Sequence, residues 1–136
     1  MKESYKILIV DDEEGVLTSL GKRLILEGYS VDTYSDSLNA LEKFKEEKYH
    51  IAIIDIVMPN IDGIYLLKEI KAYDALTQVI MVTGQPTMNT TIQALELGAN
   101  DYILKPFKSI DYVVEVVGFS VGKLERWKES MRNMIV

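Results

Sequence analysis

Five short apolar runs, each followed by a stretch of helical period, constrain this chain more than any other feature. The runs are KILIV (Lys6–Val10), YSVDTY (Tyr29–Tyr34), HIAIID (His50–Asp55), QVIMVT (Gln78–Thr83) and DYIL (Asp101–Leu104). The first, third and fourth are nearly continuous in Val and Ile. Such runs suit strands covered on both faces, which occur in parallel sheets. The second alternates and suits a sheet edge. Between the runs, apolar residues recur three and four apart, as in Val16, Leu20 and Leu24 or Ile64, Leu67 and Ile70. Gly28 and Gly98 follow two of these stretches, where a left-handed helix cap is expected.

Five consecutive strand–helix units predict an α/β fold with a doubly wound five-stranded parallel sheet. Right-handed crossovers place helices on both faces. The expected strand order is the flavodoxin-like 2-1-3-4-5, with five helices. At 136 residues one domain is expected. Zero cysteines exclude disulfides and thiolate zinc sites. The single His50 excludes a histidine-based catalytic pair within this chain and reads as a surface or strand-edge residue. A net charge of −6 argues against direct nucleic-acid binding by this chain. No apolar run is long enough for a membrane span and no signal-peptide pattern opens the chain, so a cytoplasmic location is expected.

In such a sheet, ligands bind at the carboxyl ends of the strands, where the order reverses. Strand one ends in Asp11 and Asp12, strand three in Asp55 and strand four in Thr83. Lys105 follows strand five. The topology brings these groups to one rim. Converging carboxylates repel one another, and a divalent cation offsets the repulsion. All available side-chain ligands are oxygens, which suits Mg2+. Asp11 and Asp12 alone are equally well read as caps of the first helix, and Glu13 and Glu14 are better read that way. Asp55 has no such explanation, because the next helix starts only near Gly63. A carboxylate beside a cation can attack phosphorus and form an aspartyl-phosphate. The cation, Lys105 and the Thr83 hydroxyl would then each take one phosphoryl oxygen. Val57 and Gln85 flank the approach of an attacking water, and neither is a good base.

The segments ILIVDDEE, IAIIDIVMPNIDG, VIMVTG and ALELGANDYILKPF resemble the receiver domain of bacterial two-component response regulators. The resemblance runs from about Lys6 to Leu124. It implies that Asp55 accepts a phosphoryl group from a histidine kinase or phosphotransfer protein. It implies magnesium on Asp11, Asp12 and Asp55 with the Val57 backbone carbonyl as a further ligand. Thr83 and Tyr102 become the switch pair, Lys105 contacts the phosphoryl group, and the Lys105–Pro106 peptide is cis. The output face would be helix four, strand five and helix five. Gly84 and Gly15 depart from the family's commonest residues without removing a functional group. A phosphorylation-independent interaction module is the alternative. A dehalogenase-type hydrolase is disfavoured because Val57 stands where a second Asp is needed. No Gly-rich phosphate loop follows strand one.

Residues 1–122 are expected to form the receiver unit, and 123–136 a helical extension or the start of a linker. Ser109 is the expected cap of helix five. Val113, Val117, Ser120, Leu124, Trp127, Met131 and Met134 recur at spacings of four and three, a heptad seam. Two readings stay open. The helix ends near Gly118 or Gly122, or it continues and buries Leu124, Trp127 and Met131 against a second copy or a following domain. The downstream effector is not legible.

Overall fold

The computed structural model describes residues 5–134. Its elements run β1 (Lys6–Val10), α1 (Glu14–Leu26), β2 (Ser30–Tyr34), α2 (Ser37–Glu46), β3 (Ile51–Asp55), α3 (Gly63–Tyr73), β4 (Gln78–Thr83), α4 (Met88–Glu96), β5 (Asp101–Leu104) and α5 (Ile110–Met134). The strands form one parallel sheet in the order β2-β1-β3-β4-β5. The order expected from the strand–helix alternation is the one observed.

Alternation along the central strands feeds two cores. Leu8, Val10, Ala52, Ile54, Val79 and Met81 pack against Phe44 of α2, Leu66, Leu67 and Ile70 of α3, and Ala94 of α4. Ile7, Ile9, Ile51, Ile53, Ile80 and Val82 pack against Leu17, Leu20 and Leu24 of α1 and Val113, Val116 and Val117 of α5. Every residue of β3 and β4 is buried, whereas β2, whose sequence alternates, lies at an edge. Burial of this kind, at about 25 cal/mol per Å² of apolar surface, is what holds the strand ends in place.

Local chemistry sets the helix limits. Asp36, Asp62 and Thr87 cap α2, α3 and α4 by accepting the backbone N–H groups of Asn39, Tyr65 and Thr90. Ser109 accepts the N–H of Tyr112 at 3.1 Å at the start of α5, as its position suggests. Gly28 and Gly98 have φ of 104° and 98°, the left-handed region expected after α1 and α4.

Helix α5 passes both Gly118 and Gly122 without a break and is about 37 Å long at 1.5 Å per residue. Its seam emerges gradually. Val113, Val117 and Ser120 are buried, Leu124 and Trp127 half-buried, and Met131 and Met134 exposed. Leu124, Trp127 and Met131 line a cleft with Tyr5, His50 and Leu76 at the amino ends of the strands. Tyr5 hydrogen-bonds Glu125, and the Lys128 ammonium lies 5.6 Å from the Tyr5 ring centre. The first turns past Gly122 therefore lean on the chain's own domain. Among the described residues, no helix is long and apolar enough to cross a membrane.

Candidate functional site

Asp11, Asp12 and Asp55 converge at the carboxyl ends of β1 and β3. Each offers a carboxylate oxygen, and the three oxygens lie within 4.8 Å of one another. Asp11 and Asp55 are buried, at 3% and 6% exposure, and Asp12 is exposed. The Asp11 carboxylate also accepts the N–H of Glu13 at 2.9 Å, which folds the chain from β1 into α1. Asp11 thus serves a turn and the cluster together.

Lys105 reaches this cluster from the end of β5. Its ammonium lies 2.7 Å from Asp11, 2.6 Å from Glu13 and 3.3 Å from Asp55. The Lys105–Pro106 peptide is cis, as the resemblance implies. Burial opposes the ammonium's charge, but hydrogen bonds to Asp11 and Glu13 outweigh it and hold its pKa above the usual lysine value. Asp55 moves the opposite way to most carboxylates that face a lysine. Burial first, then the neighbouring Asp11 charge, push its carboxyl up to about 6, against the pull of Lys105. One ammonium does not balance these acids.

Glu13 corrects a sequence expectation. It occupies the N-cap position of α1, but its side chain makes no capping bond and turns to Lys105 instead. The ion pair closes across 92 residues of sequence, which no local pattern reveals. Glu14 lies in the first turn of α1, where an acid suits the helix dipole.

Gly63 is a second residue that the sequence reading passed over. Helix α3 starts against the backbone of Asp55, and the Gly63 N–H donates to the Ile56 carbonyl at 2.8 Å. A Cβ on Gly63 would sit 2.2 Å from the Asp55 carbonyl oxygen and 2.7 Å from the Ile56 Cα. Only glycine permits this approach, and its place in the Asp62-Gly63 pair was the available signal. The intervening loop carries Asn60 at φ 68°, with its amide donating to Asp36 at 3.0 Å.

The mouth of the cleft is lined by Asp12, Glu13, Asp55, Val57, Gly84, Gln85 and Lys105. Val57 and Gln85 therefore face it as expected. Thr83 is fully buried at the end of β4, and its hydroxyl accepts the N–H of Gln85 at 3.0 Å. Tyr102 is half-buried on β5, with its hydroxyl 3.0 Å from that of Thr91 on α4. His50 sits at the opposite end of the sheet and has no part in this cleft.

The donor set is all oxygen and anionic, with a buried carboxyl whose charged form burial and the Asp11 charge disfavour. Such a set fits a hard divalent ion. Residues 7–117 match the family described as the response regulator receiver domain. The chain is 39% identical over 102 residues to the alkaline phosphatase synthesis transcriptional regulatory protein PhoP of Bacillus subtilis, covering 75% of this chain and 42% of PhoP. It is 36% identical over 115 residues to the chemotaxis protein CheY of the same organism, covering 84% of this chain and 95% of CheY. Among solved structures, a CheY-like response regulator receiver domain protein from Methanospirillum hungatei superposes with a TM-score of 0.87 at 30% identity. That superposition covers 90% of this chain and 97% of that one. The chain thus spans less than half the length of the transcriptional regulator PhoP and nearly all of CheY.

Proposed function

Because the chain belongs to the response regulator receiver domain family, we propose that it is a phosphorylation-dependent switch in which Asp55 is the phosphoacceptor. The observation that carries this reading is a buried carboxylate at the end of a central strand, set between two further acids and one ammonium. A carboxylate oxygen of Asp55 forms a bond to the donor phosphorus, and the bond from phosphorus to the donor's leaving atom breaks. With acetyl phosphate the leaving group is acetate. The partner donor is a histidine kinase or a phosphotransfer protein.

Asp11, Asp12, Asp55 and the Val57 carbonyl would hold magnesium. When bound, the ion supplies positive charge to the phosphoryl oxygens and to the acids around them. Lys105 stays beside Asp55 as a fixed ammonium for a further phosphoryl oxygen. The Thr83 hydroxyl, at the end of the neighbouring strand, takes another by leaving the Gln85 N–H. Tyr102 then turns inward, which alters the face made by α4, β5 and α5. Such a change shifts populations between two arrangements. The chain's only chemistry in this reading is its own phosphorylation and the loss of that group. Residues 1–122 form the phosphoaccepting unit, and 123–136 a C-terminal extension whose first turns pack against it. A phosphorylation-independent module would not need Asp11, Asp12, Asp55 and Lys105 together, and all four are present.

Intact mass after incubation with magnesium and acetyl phosphate tests the reading. The wild type is expected to gain one phosphoryl group and Asp55→Asn none. Full labelling of the Asn variant would overturn the assignment.

A further inference from the structure

Helix α4 is the least anchored of the five. Ala94 is its one buried residue, while Met88, Ile92 and Leu95 are exposed. An element with so little buried apolar surface is held by individual polar contacts and shifts easily. One such contact ties α4 to the neighbouring strand. The Tyr102 hydroxyl of β5 lies 3.0 Å from the Thr91 hydroxyl of α4. The Thr91 hydroxyl also reaches the Thr87 carbonyl, one turn earlier, at 2.8 Å. A hydroxyl has one proton to donate and two lone pairs. The Thr91 hydroxyl donates toward the Tyr102 oxygen and toward that carbonyl, so its one proton is shared between the phenol and the helix's first turn. Thr87 is the residue that caps α4, so the phenol is tied to the helix's first turn.

We propose that Thr91 is a positioning residue that holds Tyr102 against α4 in the resting protein, and so sets how far the switch leans toward its active arrangement before any phosphorylation. The inference rests on the phosphoacceptor reading of Asp55 and the switch reading of Thr83 and Tyr102. In the resting geometry each member of that pair is held elsewhere, Thr83 by the Gln85 N–H and Tyr102 by Thr91. An inward turn of Tyr102 gives up the bond to Thr91. Losing a neutral hydrogen bond of this kind changes a two-state ratio by about two- to tenfold. Removing the Thr91 hydroxyl weakens the resting arrangement and leaves the active one untouched. Ile92 and Leu95 of α4 and Leu104 of β5 are exposed beside the tie, so its loss would be felt on a surface free to meet other molecules.

Two substitutions separate the hydroxyl from the shape. Thr91→Val keeps the branched side chain without the hydroxyl, and Thr91→Ser keeps the hydroxyl. Backbone amide spectra of the full chain are recorded with and without magnesium and beryllofluoride, a stand-in for the acyl phosphate. In the free Thr91→Val protein, signals from residues 88–104 are expected part-way along the line joining free and beryllofluoride-bound wild type. The active population should be two- to tenfold above wild type, and Thr91→Ser should return to the wild-type positions. Thr91→Val signals displaced off that line, or confined to the turn around Thr91, would overturn the proposal. Thr91→Ser behaving like Thr91→Val would overturn it too, because the hydroxyl would then be irrelevant. A wild type that ignores beryllofluoride would sink the reading of Asp55 as well. A normal wild-type response with a silent Thr91→Val sinks this inference alone.

Discussion

At the carboxyl ends of the strands Asp11, Glu13 and Asp55 share one ammonium, whereas at the amino ends acids and bases meet almost one for one. Lys6 pairs with Glu47 at 2.7 Å and Asp32 at 3.4 Å, and Lys48 with Asp74 at 2.6 Å. Tyr49 donates to Asp32 at 2.5 Å. His50 stays neutral and accepts the Lys6 backbone N–H on Nδ1 at 3.0 Å. The two ends belong to the same strands but differ in burial: Asp11, Asp55 and Lys105 are nearly enclosed, whereas the paired groups at the base are partly exposed. They also differ in whether charge was left unbalanced. Hydrogen bonds from Lys43 and then Lys6 push Glu47 down to about 2, the mark of an acid with partners to spare. Asp55 is pushed the other way. The base is built for stability, and the rim keeps a strained charge cluster that a cation and a phosphoryl group can relieve.

The comparison breaks most severely at the rim backbone. Gly63→Ala forces a Cβ into the Asp55 carbonyl and the Ile56 Cα, both backbone atoms that cannot swing aside. A loss of about 3 kcal/mol or more is expected in urea denaturation, together with loss of phosphorylation. Wild-type stability in this variant would show that the rim is looser than its geometry.

Next in size is the charge itself. A carboxyl whose folded pKa is raised binds its proton more tightly when folded, so stability falls as pH rises through the window from about 4 to about 6. At pH 7 without divalent ions, Asp55→Asn is expected to be more stable than wild type by about 2 kcal/mol. The gap should shrink when magnesium is added and close near pH 4. A metal-free wild type as stable as Asp55→Asn at pH 7 would contradict the unbalanced rim.

Away from the rim, glycine has the opposite meaning. A Cβ at Gly118 meets nothing within 4 Å, and the residue is exposed on α5. Gly118→Ala should therefore stabilise by about 0.5–1 kcal/mol through helix propensity, read as a higher denaturation midpoint. Destabilisation would mean that α5 needs to bend there.

The smallest effect belongs to His50. Burial, and then Lys48 and Lys128, lower its pKa. The unfolded chain takes up that proton first, so stability is lost as pH falls below about 6.5, opposite in sign to Asp55. His50→Asn offers an oxygen to the Lys6 N–H without titrating. It should flatten the acid-side loss in a pH series of denaturation curves. An identical slope in both proteins would remove His50 from the argument.

The strand runs, their order, the cap at Ser109, and the placing of Asp11, Asp12, Asp55, Thr83 and Lys105 on one rim were all legible in the sequence. Each follows from a local signal: apolar periodicity, a turn residue, or the last polar residue of a buried strand. Chain topology then leaves few ways to assemble them. Three features belong to the tertiary structure alone. Glu13 reads as a helix cap until Lys105 arrives from the far end of the chain. Gly63 reads as an ordinary helix start until α3 comes to rest on the Asp55 backbone. The seam of α5 reads equally as a helix that stops or one that continues, until Tyr5 and Glu125 meet across 120 residues. Periodicity shows which face of an element is apolar. Which polar tip meets which depends on how side chains from distant segments pack, and the same short pattern can serve either outcome.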